Sequence, residues 1–123
     1  MSVHKNQSFP ARLKFALVGL AHAARTERSF RVQLAALAAV LIILLLLRPG
    51  ALWWALLLLA STGVLAAELL NTAIEQLADE LNPQHSPGIR VVKDCAAAGV
   101  LIAVLGALGV AVAFAVHLLL RRN

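Results

Sequence analysis

The sequence predicts an all-α integral membrane protein, with three transmembrane helices preceded by an amphipathic surface helix. Composition is the first reason. Hydrophobic residues make up 61% and charged residues 14% of the chain, more apolar surface than one domain of 123 residues can hide from water. Distribution is the second reason, because the apolar residues fall in three long runs. The third is the punctuation between the runs. Pro49-Gly50 and Asn82-Pro83-Gln84-His85-Ser86-Pro87-Gly88 are built from turn-forming residues.

The elements follow in order, as parts of a single membrane domain over residues 1–123. Residues 1–9 are polar, and residues 1–31 lack the apolar core of a secretory signal. Residues 10–31 read as the surface helix. Leu13, Leu17, Leu20 and Ala24 line one side, Arg12, Lys14, Arg25 and Arg28 fall mostly elsewhere, and Pro10 suits a first turn. The first span covers residues 32–47, with Gln33 its only polar member. It is short, but Arg31 and Arg48 at its ends can snorkel. The second span covers residues 51–70, with Trp53 and Trp54 placed as interface anchors.

The helical pattern of the second span runs on through Leu81. That helix should therefore leave the bilayer and carry its polar end into water. Residues 71–94 form this cytoplasmic extension and a loop, with a helix restarting near Ile89. The third span covers residues 95–120, where Gly99, Ala103, Gly106 and Gly109 offer a small-residue face for helix packing.

Charge sets the orientation. An N-inside arrangement puts eight of the 11 Lys and Arg on the cytoplasmic side and leaves Arg48, Arg121 and Arg122 outside, as the positive-inside rule favours. The net charge of +5 then reflects topology and anionic headgroups, and no nucleic-acid partner is expected. Cys95 is the only cysteine, so neither an internal disulfide nor a zinc site is expected. The four His are scattered without ligand spacing.

Five of the six acidic residues lie between Glu68 and Asp94. Glu68, Asn71, Glu75 and Asp79 recur at intervals of three and four, which places them along one helical face. Such a stripe offers the oxygen ligands that Mg²⁺ prefers. Glu27 sits between Arg25 and Arg28, and Lys93-Asp94 lies at the mouth of the third span. Phosphoryl transfer needs carboxylates for a metal, a cation for phosphate charge and a base for the acceptor hydroxyl. Glu27 and Glu75 could hold the metal, Lys93 could meet phosphate, and Glu68, nearest the lipid, could take the proton. No Gly-rich phosphate loop of a soluble kinase is present. On residues alone three readings stay open: a metal–nucleotide site, a proton or cation relay as in a small ion-coupled transporter, and a solvated helix end.

The string Glu68-Leu69-Leu70-Asn71-Thr72-Ala73-Ile74-Glu75-x-x-x-Asp79, followed by Lys93-Asp94, resembles the signature of the prokaryotic diacylglycerol kinase family. Thr26-Glu27-Arg28-Ser29-Phe30-Arg31 resembles the end of that family's surface helix, and the likeness covers residues 10–105. The resemblance implies a homotrimer in the bacterial inner membrane, with its active site on the cytoplasmic side. It implies transfer of the γ-phosphate of MgATP to the hydroxyl of diacylglycerol, giving phosphatidic acid, with undecaprenol as the alternative acceptor. By that resemblance Glu68 is the catalytic base, and Glu27 and Glu75 are the Mg²⁺ ligands. Asn71, Asp79, Lys93 and Asp94 join the two glutamates around ATP, with His85 standing where the family often has an aromatic residue. Arg12, Lys14, Arg28 and Leu69 are the candidate substrate contacts.

Overall fold

Helix ends in this chain are set by prolines, by one left-handed residue and by one long side chain. The computed structural model describes residues 7–84 and 86–121. Among the described residues there are four helices: α1 (Phe9–Thr26), α2 (Arg28–Leu47), α3 (Ala51–Leu81) and α4 (Pro87–Leu120). Pro10 and Pro87 sit in the first turns of α1 and α4, where a missing N–H costs nothing. Ser86 caps α4 by accepting the Ile89 N–H at 3.4 Å, so this helix starts slightly before the expected Ile89.

The apolar pattern predicts one surface helix through residue 31. The structure ends it at Thr26 instead, and Glu27, at φ −103° and ψ 116°, is the hinge between α1 and α2. Residues 28–31 therefore form the first turn of α2. The side chain of Arg31 explains how the break is tolerated. Its guanidinium reaches back and donates to the carbonyls of Ala24 at 3.2 Å and Arg25 at 3.1 Å. These belong to the last turn of α1, where carbonyls lose their intrahelical partners.

With that extra turn α2 has 20 residues and is about 30 Å long, the thickness of a bilayer's hydrocarbon core. It closes at Arg48, which is left-handed at φ 46° and ψ 54° and returns its N–H to the Leu44 carbonyl at 2.9 Å. Pro49 then prevents continuation. α3 has 31 residues, about 46 Å, so one end must project beyond the hydrocarbon. Composition says which end: the acids begin at Glu68.

Three helices, α2, α3 and α4, are long and apolar enough to cross a membrane. α3 is the central member, packing against both α2 and α4. The backbones of α2 and α4 do not approach one another, and α1 rests on α2 and α3. At the end away from the acids, Leu44, Leu57 and Phe114 form the buried core, one from each long helix. Trp53 packs beside it, with its ring centroid 5.1 Å from Phe114 and 5.1 Å from His117. This aromatic therefore packs between helices as well as standing near a membrane end. Leu59, Ile102 and Leu105 stay exposed within the chain, as lipid-facing residues do. Gly99, Gly106 and Gly109 of the small-residue face also meet open space, while Ala103 is half-buried.

Candidate active site on the polar half of α3

Glu68 lies where the apolar part of α3 ends, and it is only 5% exposed. A carboxylate placed there needs hydrogen-bond donors to offset lost hydration. Ser29 supplies one, its hydroxyl donating to Glu68 Oε2 at 3.1 Å. Ser29 reaches Glu68 because it belongs to the first turn of α2, directly after the Glu27 hinge. One turn along α3, Thr72 is buried as well. The next polar pair is Asn71 and Glu75, four residues apart, with Asn71 Nδ2 donating to Glu75 Oε1 at 3.1 Å. Asn71 Oδ1 is buried and, among the described residues, has no hydrogen-bond partner. An orphaned acceptor costs about 1–3 kcal/mol, a cost that a ligand at this point would remove.

Farther out, Lys93 on α4 meets Asp79 on α3 at 2.8 Å. Lys93 lies in the polar first turns of α4, ahead of residues 95–120. Its hydrogen bond to Asp79 holds its pKa above the ordinary value. Partial desolvation opposes that effect, and the charges of Asp79 and Glu75 add to it. Asp94 is the next residue on α4 and is exposed.

Glu27 is half-buried at the α1–α2 hinge, and Thr26 Oγ1 donates to its Oε1 at 3.3 Å. Two contacts bracket this hinge on α3. On one side Ser29 holds Glu68; on the other, His22 Nε2 meets Gln76 Nε2 at 2.8 Å. The Gln76 amide donates there, which makes His22 Nε2 the acceptor. Leu69, half-buried, lines a groove of about 480 Å³ between α1 and α3, together with Leu20, Ala23 and Thr72. Arg12, Lys14 and Arg28 are exposed on α1 and at the start of α2. His85 lies outside the described residues.

The structure thus joins Asn71 to Glu75 and Asp79 to Lys93 by direct hydrogen bonds. Among the described residues, no three His, Cys, Asp or Glu side chains converge into a metal cage. Mg²⁺ bound with phosphates does not require one. It takes one or two carboxylates and fills its other positions with water and phosphate oxygens. A carboxylate at Glu75 beside the free Oδ1 of Asn71 fits that demand. Sequence reasoning missed Ser29, His22 and Gln76. Each contact joins two helices, which spacing within one helix does not reveal.

The fold and site define a class: a helical membrane protein of three spans, with a carboxylate-and-amide site where the central helix leaves its apolar stretch. Prokaryotic diacylglycerol kinase is the family whose profile matches residues 14–115. The chain belongs to that family. An undecaprenol kinase of Bacillus subtilis (strain 168) is 39% identical over 84 residues, covering 68% of this chain and 68% of that protein. A diacylglycerol kinase of Synechocystis sp. (strain ATCC 27184 / PCC 6803 / Kazusa) is 35% identical over 95 residues, covering 76% of this chain and 54% of that protein. The chain spans about half the length of this second relative. The shared activity is phosphorylation of a membrane lipid, and this protein is a lipid kinase.

Proposed function

We propose that the protein transfers the γ-phosphate of MgATP to the primary hydroxyl of a membrane lipid, with Glu68 as the base. The observation that carries this reading is the buried Glu68 carboxylate, held by Ser29 one turn from the Asn71–Glu75 pair. Ser29 engages Oε2, which fixes the carboxyl group and leaves Oε1 to take the hydroxyl proton. Being at the apolar boundary of α3, Glu68 meets an acceptor whose hydroxyl lies at the headgroup level while its tail stays in lipid.

Glu75 and Glu27, with Asn71 Oδ1, would hold Mg²⁺. When bound, the ion neutralises charge on the phosphate oxygens and orients them for in-line transfer. Lys93 leaves Asp79 to meet phosphate, and Asp79, Asp94 and His85 border the nucleotide. Arg12, Lys14 and Arg28 face the anionic groups of substrate or headgroup, and Leu69 borders the lipid tail. α1 lies as an amphipathic helix on the cytoplasmic face of a bacterial inner membrane. Its outward Leu13, Leu17 and Val18 support that placement. A homotrimer would bring carboxylates of neighbouring chains to one site.

Diacylglycerol, yielding phosphatidic acid, is the acceptor in the first reading, supported by the family description. Undecaprenol, yielding undecaprenyl phosphate, is the second, supported by the relative of that name, which aligns over the larger share of its own length. The two are separated by purified protein in mixed micelles with labelled ATP, Mg²⁺ and each lipid in turn. Label should enter one of the two lipids and vanish on chelation of Mg²⁺. Absence of transfer to either lipid contradicts the proposal.

A further inference from the structure

The backbones of α2 and α4 both lie against α3 but do not approach one another, and this leaves a furrow over α3 that opens at the end away from Glu68. Its mouth is a cavity of about 590 Å³ bounded by Leu47 of α2, by Ala115, Leu118 and Leu119 of α4, and by Arg121. It continues inward as a recess of about 420 Å³ that shares Leu47, Ala115 and Leu118 and adds Val40, Ile43 and Phe114. The recess is apolar throughout, whereas the mouth carries a guanidinium. Arg121 is fixed there by its backbone, whose N–H returns to the His117 carbonyl at 3.1 Å. Arg48 follows Leu47 directly, and every acidic residue of the chain belongs to the hinge at Glu27 or to residues 68–94. Positive charge therefore stands over an apolar slot at the far membrane face, away from every acidic side chain of the sequence.

We propose that this furrow binds an anionic phospholipid of the leaflet opposite Glu68, one acyl chain in the recess and its phosphate on Arg121. The occupant follows from charge and wall shape. A phospholipid supplies an apolar chain for the slot and a phosphate for the mouth, and arginine near a membrane surface attracts anionic headgroups. A second copy's helix would seek small residues that allow close approach. Gly99, Gly106 and Gly109 meet open space and do not line the furrow, whose walls carry the bulky Ile43, Leu47, Leu118 and Leu119 beside Ala111 and Ala115. The site is separate from phosphoryl transfer and does not depend on which acceptor the kinase uses.

The test is native mass spectrometry of the full chain released from micelles, titrated with phosphatidylglycerol or with phosphatidylcholine of the same acyl chains. Both lipids carry the phosphate, but the choline ammonium offsets its charge in phosphatidylcholine, so one arginine at the surface predicts about fivefold greater retention of phosphatidylglycerol. Arg121→Gln should reduce that preference to near unity, while Arg90→Gln, in the first turn of α4 at the other face, should leave it intact. Ala115→Phe, which fills the slot, should lower retention of both lipids without altering the oligomeric state. Equal retention of the two lipids by the wild type would overturn the proposal, as would an undiminished preference in Arg121→Gln. A changed oligomeric state in Ala115→Phe would assign the furrow to a protein helix instead.

Discussion

Ser29 decides how Glu68 is presented, although the two are 39 residues apart in sequence. The hydroxyl donates to a carboxylate that is itself almost fully buried, and a bond to such a group contributes more than one between neutral partners. Ser29→Ala should lower turnover about tenfold, the equivalent of roughly 1.4 kcal/mol in the barrier, with little change in the Michaelis constant for ATP. Unaltered turnover in Ser29→Ala would remove this contact from the mechanism. The Lys93–Asp79 pair carries a different signature. A raised lysine pKa means that its contribution to stability is complete below the ordinary value of 10.5 and is lost as pH climbs through the higher folded value. Thermal unfolding in micelles should therefore show an alkaline loss of stability above about pH 10, and Asp79→Asn should blunt that loss. Being at the surface, the pair should also weaken with added salt.

Two helix ends illustrate what local sequence does and does not specify. Arg48 occupies left-handed space that costs an L-residue about 1–2 kcal/mol, and a branched side chain fits there worse still. Arg48→Val should lower the unfolding temperature, whereas Arg48→Gly, free of the Cβ penalty, should match or exceed the wild type. Pro49-Gly50 makes that boundary legible beforehand. The Glu27 hinge is not legible in the same way, since Arg25, Thr26, Glu27 and Arg28 include no helix breaker. The deciding interaction is the Arg31 guanidinium on the carbonyls of Ala24 and Arg25, and it exists only once the chain has turned. The acid stripe on α3 was legible because Glu68, Asn71 and Glu75 repeat at helical spacing on one element. Ser29 was not, because its role depends on where α2 begins.

At the scale of the molecule, a central helix longer than the bilayer is thick ties the parts together. α3 contributes Leu57 to the core at one end and Glu68, Asn71, Glu75 and Asp79 to the polar half at the other. The three spans could be read directly from hydropathy, because lipid imposes a length and an apolar composition on any helix that crosses it. The arrangement of the helices could not: α3 lies between α2 and α4 through packing of Leu44, Leu57 and Phe114, and many other apolar residues would satisfy the same pattern. The most direct test is γ-phosphate transfer from MgATP to lipid by wild type and by Glu68→Gln, with thermal unfolding confirming that the variant is folded. A loss of about a hundredfold or more in the folded variant is the predicted result. A folded Glu68→Gln protein that phosphorylates lipid at the wild-type rate would contradict the assignment of the buried carboxylate as the base.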